Sequence, residues 1–254
     1  MSKLATAERV STQPSDNFVL QRSRLAYYAA AERIWGRVLE IGTGSGYGVE
    51  VIAPHAAHFV TIDKHRPSSS VISGKNVEFL EATVPPLPFD DESFDCVISF
   101  QVIEHIKDDH NFIAEVKRVL RPGGCFIVST PNIIMSLTRN PWHVREYTKE
   151  QFSALLSPQF SSIEALGVAG DESIMAYYEK NREGVKRITR FDILNLQYRL
   201  PRWMLQIPYD ILNRLNRNKL LKENNSLTAS ITMDNYRLEP VSDGSFDLFY
   251  IATK

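Results

Sequence analysis

The chain has 254 residues and a formal net charge of −1, enough length to bury a substantial core but no global basic field of the kind that draws a protein onto nucleic acid. Hydrophobic residues at 43% and charged residues at 23% exclude a disordered or fibrous chain. No uninterrupted apolar run approaches the roughly 18 residues of a membrane span, and the start, Met-Ser-Lys-Leu-Ala-Thr-Ala-Glu-Arg, has no apolar signal-like stretch, so a cytoplasmic location is expected.

A polar leader ends near Asn17. Residues 18–35 then carry Leu20, Leu25, Tyr28, Ala29 and Ile34 at mixed three and four spacing, which predicts an amphipathic helix. From Arg37 the pattern changes to short β-branched runs at 38–41, 59–62, 77–80, 96–100 and 125–129. Helix-length stretches separate them, predicted at 47–57, 68–74 and 111–120. Strands that alternate with helices and are apolar on both faces indicate a parallel sheet covered on both sides, the doubly wound α/β class. Arg121-Pro-Gly-Gly124 stops the third helix and returns the chain to the sheet, and Cys96 and Cys125 sit in apolar runs as core residues. A capping pattern, Thr148-Lys-Glu-Gln151, opens a helix over 148–156, and two further strands follow at 162–167 and 245–252.

Between those last strands lie about 75 residues, far more than a hairpin loop uses, which predicts a helical cap. The expected organisation is a leader and helix at 1–35, a core at 36–167, a cap at 168–242 and a final core strand at 243–254. The cap contains Arg199-Leu-Pro-Arg-Trp-Met-Leu-Gln-Ile-Pro-Tyr209, with Ile211, Leu212 and Leu215 beyond it among Arg214, Arg217, Lys219 and Lys222. Two readings stand. The segment packs over the site with a solvated basic face, or 199–222 makes peripheral contact with an anionic membrane surface, which would put the protein at the inner membrane face. Pro201 and Pro208 are expected to interrupt any single helix there.

Val38-Leu-Glu-Ile-Gly-Thr-Gly-Ser-Gly-Tyr-Gly48 is a strand running into a glycine-rich turn and then a helix, where an open α/β sheet binds its ligand. Gly42, Gly44 and Gly46 let the backbone approach a ligand closely, and the following helix start favours a carboxylate. A dinucleotide fingerprint would need glycine at 47, where Tyr47 stands, and this disfavours a dehydrogenase. Glu40 suits a cationic group such as a methionine ammonium. Asp63, ending the second strand, is placed to accept from ribose hydroxyls. After the third strand, Glu81 is a candidate acceptor for an adenine amino group, and Ala82 leaves room for the ring.

Together with this loop, Leu-Pro-Phe-Asp-Asp-Glu-Ser-Phe-Asp (87 to 95), Val-Ile-Glu-His (102 to 105), Arg-Val-Leu-Arg-Pro-Gly-Gly (118 to 124) and Ser-Thr-Pro-Asn (129 to 132) resemble the class I methyltransferases of the ubiquinone-methyltransferase-like type over residues 36–166. The resemblance implies a seven-stranded Rossmann-like sheet with a reversed last strand and S-adenosylmethionine as donor. It implies donor contacts from Glu40, Gly42, Thr43, Gly44, Gly46, Asp63, Lys64, Glu81, Ala82 and Gln101. Asn140-Pro-Trp-His-Val-Arg-Glu-Tyr147 is similar to a stretch in methyltransferases of bacterial surface polysaccharide or glycolipid biosynthesis. That implies a saccharide, lipid-linked saccharide or other small-molecule acceptor, methylated on oxygen.

A hydroxyl acceptor needs a base, and His105 and His143 are the candidates because imidazole titrates near neutrality. If a helix begins at Gln101, then Gln101, Glu104 and His105 share one face. Relatives with Glu-x-x-Glu-His hold a divalent cation there. Gln101 removes one of those charges, so no metal ligands are assigned, and a metal-bound variant stays an alternative beside a module that binds the donor without chemistry.

Overall fold

The computed structural model describes residues 13–68, 72, 74–190, 192, 195–223 and 225–254. The leader before Gln13 and most of the helix expected at 68–74 lie outside the described residues. In chain order come α1 (Asn17–Ala31), β1 (Arg37–Ile41), α2 (Val49–Ile52), β2 (His58–Asp63), β3 (Val77–Glu81), β4 (Phe94–Phe100), α3 (Asp109–Val119), β5 (Leu120–Pro131), α4 (Lys149–Leu156) and β6 (Ser162–Gly170). Then follow α5 (Glu172–Thr189), α6 (Leu196–Arg199), α7 (Arg202–Glu223), α8 (Asn225–Ser230), β7 (Tyr236–Pro240) and β8 (Asp247–Thr253).

One sheet of eight strands runs β3-β2-β1-β4-β5-β8-β6-β7. The first five are parallel, and β8 enters antiparallel between β5 and β6. Alternation along each strand divides the core. Val38, Ile98 and Ile127 face α1 and α2 on one side. Leu39, Val97 and Phe126 face α3 and α4 on the other. Burying a side chain of this size stabilises the fold by about 1.5–3 kcal/mol, which is why strands covered on both faces read as continuous apolar runs. Thr148 and Gln151 form the expected capping box at α4. Cys96 and Cys125 are buried free thiols on neighbouring strands.

Three expectations need correction. The sheet has eight strands rather than seven, because β7, inside the span expected to be a helical cap, pairs antiparallel with β6 from Gly170↔Tyr236 to Leu166↔Pro240. It is a five-residue edge strand closed by Pro240, with only Tyr236 fully buried, so it lacks the apolar run that marks an inner strand. Second, α7 runs unbroken through Pro208. Pro201 precedes its first turn, where no intrahelical N–H is needed. Pro208 is exposed, so its ring meets open space rather than close packing. Third, the helix expected at 47–57 is only α2 followed by a 3-10 turn, Ala53–His55, in which Pro54 stands.

The helical region is fastened to the core at its base. Asp16, 1% exposed, accepts from Arg217 at 2.8 Å and Arg214 at 3.1 Å, both from α7. Asn17 donates to the carbonyls of Thr228 and Ile231 at 2.9 Å each. Asp16→Ala removes the carboxylate that Arg217 and Arg214 share, leaving Arg214 with the neutral acceptors Gln13 Oε1 and Ser15 Oγ. It is expected to lower stability in urea denaturation by about 1.5–3 kcal/mol, the range for hydrogen bonds to charge, and to make the 172–230 region more sensitive to limited proteolysis.

Candidate functional site

β2 lies on one side of β1 and β4 on the other, and the connections from β1 and β4 leave over opposite faces of the sheet. The strand order reverses between them, so the loops after β1 and β4 separate and open a crevice at the carboxyl edge. A cavity of about 350 Å³ occupies it. Its lining includes Gly42, Thr43, Gly44, Asp63, Lys64 and Ala82, and Gln101 and His105 complete the side below β4.

The loop geometry explains its glycines. Gly42, at φ +94°, passes so close to the β4 loop that a Cβ would lie 2.4 Å from Val102 Cγ2. Gly44, at φ +58°, has nothing within 4 Å of where a Cβ would stand, so the space above it is open to a ligand. Its N–H donates to Asp63 Oδ2 at 2.8 Å, while Asp63 Oδ1 accepts from His65 N at 2.9 Å. Both oxygens are thereby aimed.

Glu40 lies beneath the loop rather than in the cavity lining. It is 1% exposed. Oε1 accepts from Tyr27 at 2.8 Å and Oε2 from Thr61 at 2.5 Å. Burial pushes its carboxyl up to about 7, and the two hydroxyls hold it back from rising further. Tyr27 lines the cavity, so any influence of Glu40 on a bound cation passes through the phenol above it. Gly46 closes the turn by donating to Thr43 O at 2.8 Å and does not line the cavity. Glu81 is exposed at the end of β3, beside Ala82, and outside the lining as well.

Gln101 does not begin a helix. It takes φ +57°, donates its N–H to Ser129 O at 2.9 Å, and is separated from a 3-10 turn at Ile103–His105. The expected shared face of Gln101, Glu104 and His105 is therefore absent. Glu104 instead turns inward, 1% exposed, and accepts from Thr130 Oγ1 at 3.0 Å. His105, Glu104 and His143 bring ligand atoms within 4.8 Å of one another, a set of one carboxylate and two imidazoles able to hold a transition metal. His143, from a loop distant in sequence, and not Gln101, is the third member of that group.

The two histidines meet at a junction. His105 lines the first cavity, and its Nδ1 lies 3.0 Å from Trp142 O, which makes Nδ1 the donor and leaves Nε2 as the lone-pair nitrogen. His143 lines a second cavity of about 640 Å³ between the sheet and the helical region. The rings stand edge to face, centroids 5.0 Å apart at 87°. His143 Nδ1 lies 2.6 Å from Glu146 Oε1, its Nε2 2.8 Å from Asn140 Nδ2, and Ser136 Oγ donates to the other Glu146 oxygen. Asn140 and Glu146 lie in the stretch of residues 140–147 singled out by resemblance, but without a role; Ser136 carries no sequence signal, because it lies in a loop without periodicity. The i, i+3 spacing of His143 and Glu146 is the further signal of their pairing.

The open sheet, its reversed strand and the glycine loop over an aimed Asp63 define a class I, Rossmann-like nucleoside-binding fold. Residues 39–128 match the family model described as a methyltransferase domain. A protein of Mycolicibacterium smegmatis described as a probable S-adenosylmethionine-dependent methyltransferase is 38% identical over 162 residues, 60% of this chain and 63% of the relative. A ubiquinone biosynthesis O-methyltransferase of Hahella chejuensis is 36% identical over 112 residues, 41% of this chain and 44% of its own. The chain spans 54–63% of the length of the mycobacterial relatives it matches. Among solved structures, a Thermotoga maritima S-adenosylmethionine-dependent methyltransferase, titled a possible histamine N-methyltransferase, superposes with a TM-score of 0.57. That alignment covers 93% of this chain and 92% of the other at 15% identity, a likeness of fold. Over its core the chain is thus similar to S-adenosylmethionine-dependent methyltransferases, ubiquinone-biosynthesis O-methyltransferases among them.

Asp63→Ala should weaken S-adenosylmethionine binding in calorimetric titration by about 1.5–3 kcal/mol; an unchanged affinity would remove Asp63 from the site. Glu40 sets a pH dependence. Its folded carboxyl titrates about 7, above the ordinary 4.5, so stability present below the ordinary value is lost as pH climbs through that window. Glu40→Gln, a neutral isostere, should therefore be more stable than the parent at about pH 8 by on the order of 3 kcal/mol and no more stable at about pH 4. Urea denaturation at both pH values measures the difference.

Proposed function

We propose that the protein transfers a methyl group from S-adenosylmethionine to a hydroxyl oxygen of a saccharide, a lipid-linked saccharide or another small molecule bound in the larger cavity. One observation carries this reading: His105 and His143 stand in contact, one lining the cleft at the glycine loop and the other lining the cavity beneath the helices. The residues of the first cleft suit the donor. Open space over Gly44, the aimed carboxylate of Asp63 and the small Ala82 leave room for an adenosyl group and offer it an acceptor.

Bound in that cleft, S-adenosylmethionine would supply an electrophilic methyl group on a positively charged sulfur, with the neutral thioether S-adenosylhomocysteine as leaving group. The protein's own residues align the acceptor, exclude water and take the hydroxyl proton. Alignment of this kind is worth up to about 7–11 kcal/mol. His143 is suited to the proton. Glu146 accepts from Nδ1–H, so the basic lone pair is on Nε2, and the carboxylate steadies the imidazolium that forms. Ser136 fixes Glu146 in turn. The Asn140 amide, which now donates to Nε2, occupies the direction from which an acceptor hydroxyl would approach and yields it on binding.

Saccharide chemistry is supported by the lining. Asn181, Asn213 and Asn216 stand alongside Tyr177, Tyr178 and Phe246, amides for hydroxyls and ring faces for the apolar side of a sugar.

Calorimetry with S-adenosylmethionine, and with NADH as control, tests donor binding first. Given an acceptor, His143→Ala should cut turnover by about 10²–10⁴ while leaving donor affinity unchanged. Glu146→Gln should lower turnover less and move the pH profile, because it removes charge from beside the base without removing the base. Full activity in His143→Ala would eliminate it from proton transfer.

A further inference from the structure

The larger cavity has a mixed lining. The loop around His143 contributes polar groups from Ser136, Thr138, Asn140 and Glu146. The walls from α5, α6, α7 and the link between the last two add apolar surface through Ile188, Leu196, Leu200, Met204, Leu205 and Leu212. Leu196, Met204 and Leu212 are also more than 40% exposed, so the apolar wall continues to the outside of the molecule.

Outside, the open face of α7 is apolar where a helix on a globular protein is normally polar. Trp203, Ile207, Ile211 and Leu215 recur at i+4 spacing and are 71%, 72%, 47% and 60% exposed. A contiguous patch of this kind marks a surface that meets an apolar partner. Charge indicates which partner. Residues 186–222 hold nine Lys or Arg against only Asp192 and Asp210; Arg202, Arg214 and Arg217 turn inward to Val144 O and Asp16, and the others carry the basic excess. Exposed Lys219 and Lys222 extend the same face of α7, and exposed Arg199 precedes it. A helix with an apolar stripe and basic residues beside it lies in the interface of a bilayer that carries anionic lipids.

We propose that α7 lays its open face on an anionic lipid surface, and that the acceptor is an amphiphile whose apolar chain enters between α5 and α7 and whose polar head reaches His143. The acceptor's place rests on the methyl-transfer reading above; the surface contact does not. The loop carrying His143 is tied to the same helices, through Arg139 Nη1 to Gln197 O at 2.9 Å, Trp142 Nε1 to Asp210 Oδ1 at 3.0 Å and Arg202 Nη2 to Val144 O at 2.5 Å. A chain held between α5 and α7 thus lies against the elements that position the base.

Vesicle sedimentation tests the surface. The full chain should bind vesicles of phosphatidylcholine mixed with phosphatidylglycerol, bind pure phosphatidylcholine less, and lose affinity as salt rises. The double variant Ile207→Glu, Ile211→Glu should bind the anionic vesicles more weakly by about tenfold or more, since two apolar side chains no longer enter the interface, with S-adenosylmethionine affinity unchanged. Failure of the parent to sediment, or equal sedimentation of the variant, overturns the contact. So does a dimer in vesicle-free solution that the same substitutions dissociate, because a second copy would then cover the face. For the cavity, octyl glucoside below its micelle concentration should bind at least about tenfold more tightly than glucose, and equal or absent binding of both overturns the amphiphile. A protein that sediments with vesicles yet transfers no methyl group would remove the reaction and leave the contact standing. One that transfers methyl groups to water-soluble acceptors but ignores vesicles would do the reverse.

Discussion

The reversal of strand order at β1 is the constraint from which the site follows. Connections from β1 and β4 cover opposite faces, so the two loops cannot close on each other, and the sheet is left with a crevice at its carboxyl edge. Each feature of the cleft is a response to that gap. Gly42 lets the β1 loop pass Val102 without collision, Gly44 keeps the floor low, and Asp63 reaches across from β2 to hold the Gly44 N–H. Gln101, in a left-handed conformation immediately after β4, turns the opposite wall. The apolar strands stabilise the sheet well enough for its edge to tolerate these strained positions.

A second constraint concerns the loop of residues 139–147, which lines the larger cavity and is bonded both to the core and to the helices beyond β6. On the core side, Glu104 O accepts from Val144 N at 2.6 Å, and Asp109 accepts from Arg145 and from Tyr147. On the other side it is bonded to Gln197, Asp210 and Arg202 of α6 and α7. The loop is irregular backbone, yet its polar groups are spoken for, and this is how a histidine outside regular structure keeps a defined position. The helices between β6 and β7 therefore do more than roof a cavity: they set one half of the boundary conditions on His143.

These arrangements were unequally legible from residues alone. The parallel core could be read because inner strands such as residues 38–41 and 96–100 bury both faces and are apolar but for Glu40 and Ser99, and because Gly42 to Gly46 announces a turn that only such backbone can make. The β7 edge strand was hidden, since one buried tyrosine in five residues is no pattern. Pro208 misled for the opposite reason: its rule is strictest in packed helix interiors, and here it is exposed and lines the larger cavity. The pairing of His143 with Glu146, and the meeting of His143 with His105, depend on how a loop folds back across the sheet edge. No local propensity encodes that contact; it is a consequence of tertiary structure.

Glu40 shows what such a site costs. An apolar or amide side chain at the end of β1 would be easier to bury than a carboxylate whose ionisation is displaced to about 7. Tyr27 and Thr61 each spend their hydroxyl on it, and burial together with that negative charge holds the Tyr27 phenol well above its ordinary range, so it remains a donor. The result is a negative charge shielded from water directly beneath a ligand cleft, where it acts through a fixed dipole rather than by contact. In a low-dielectric setting such a charge attracts a cation above it more strongly than a hydrated surface acid would. The stability given up in ionising Glu40 is the counterpart of that field, and it is the expected direction of exchange where a binding site is built into a well-packed sheet.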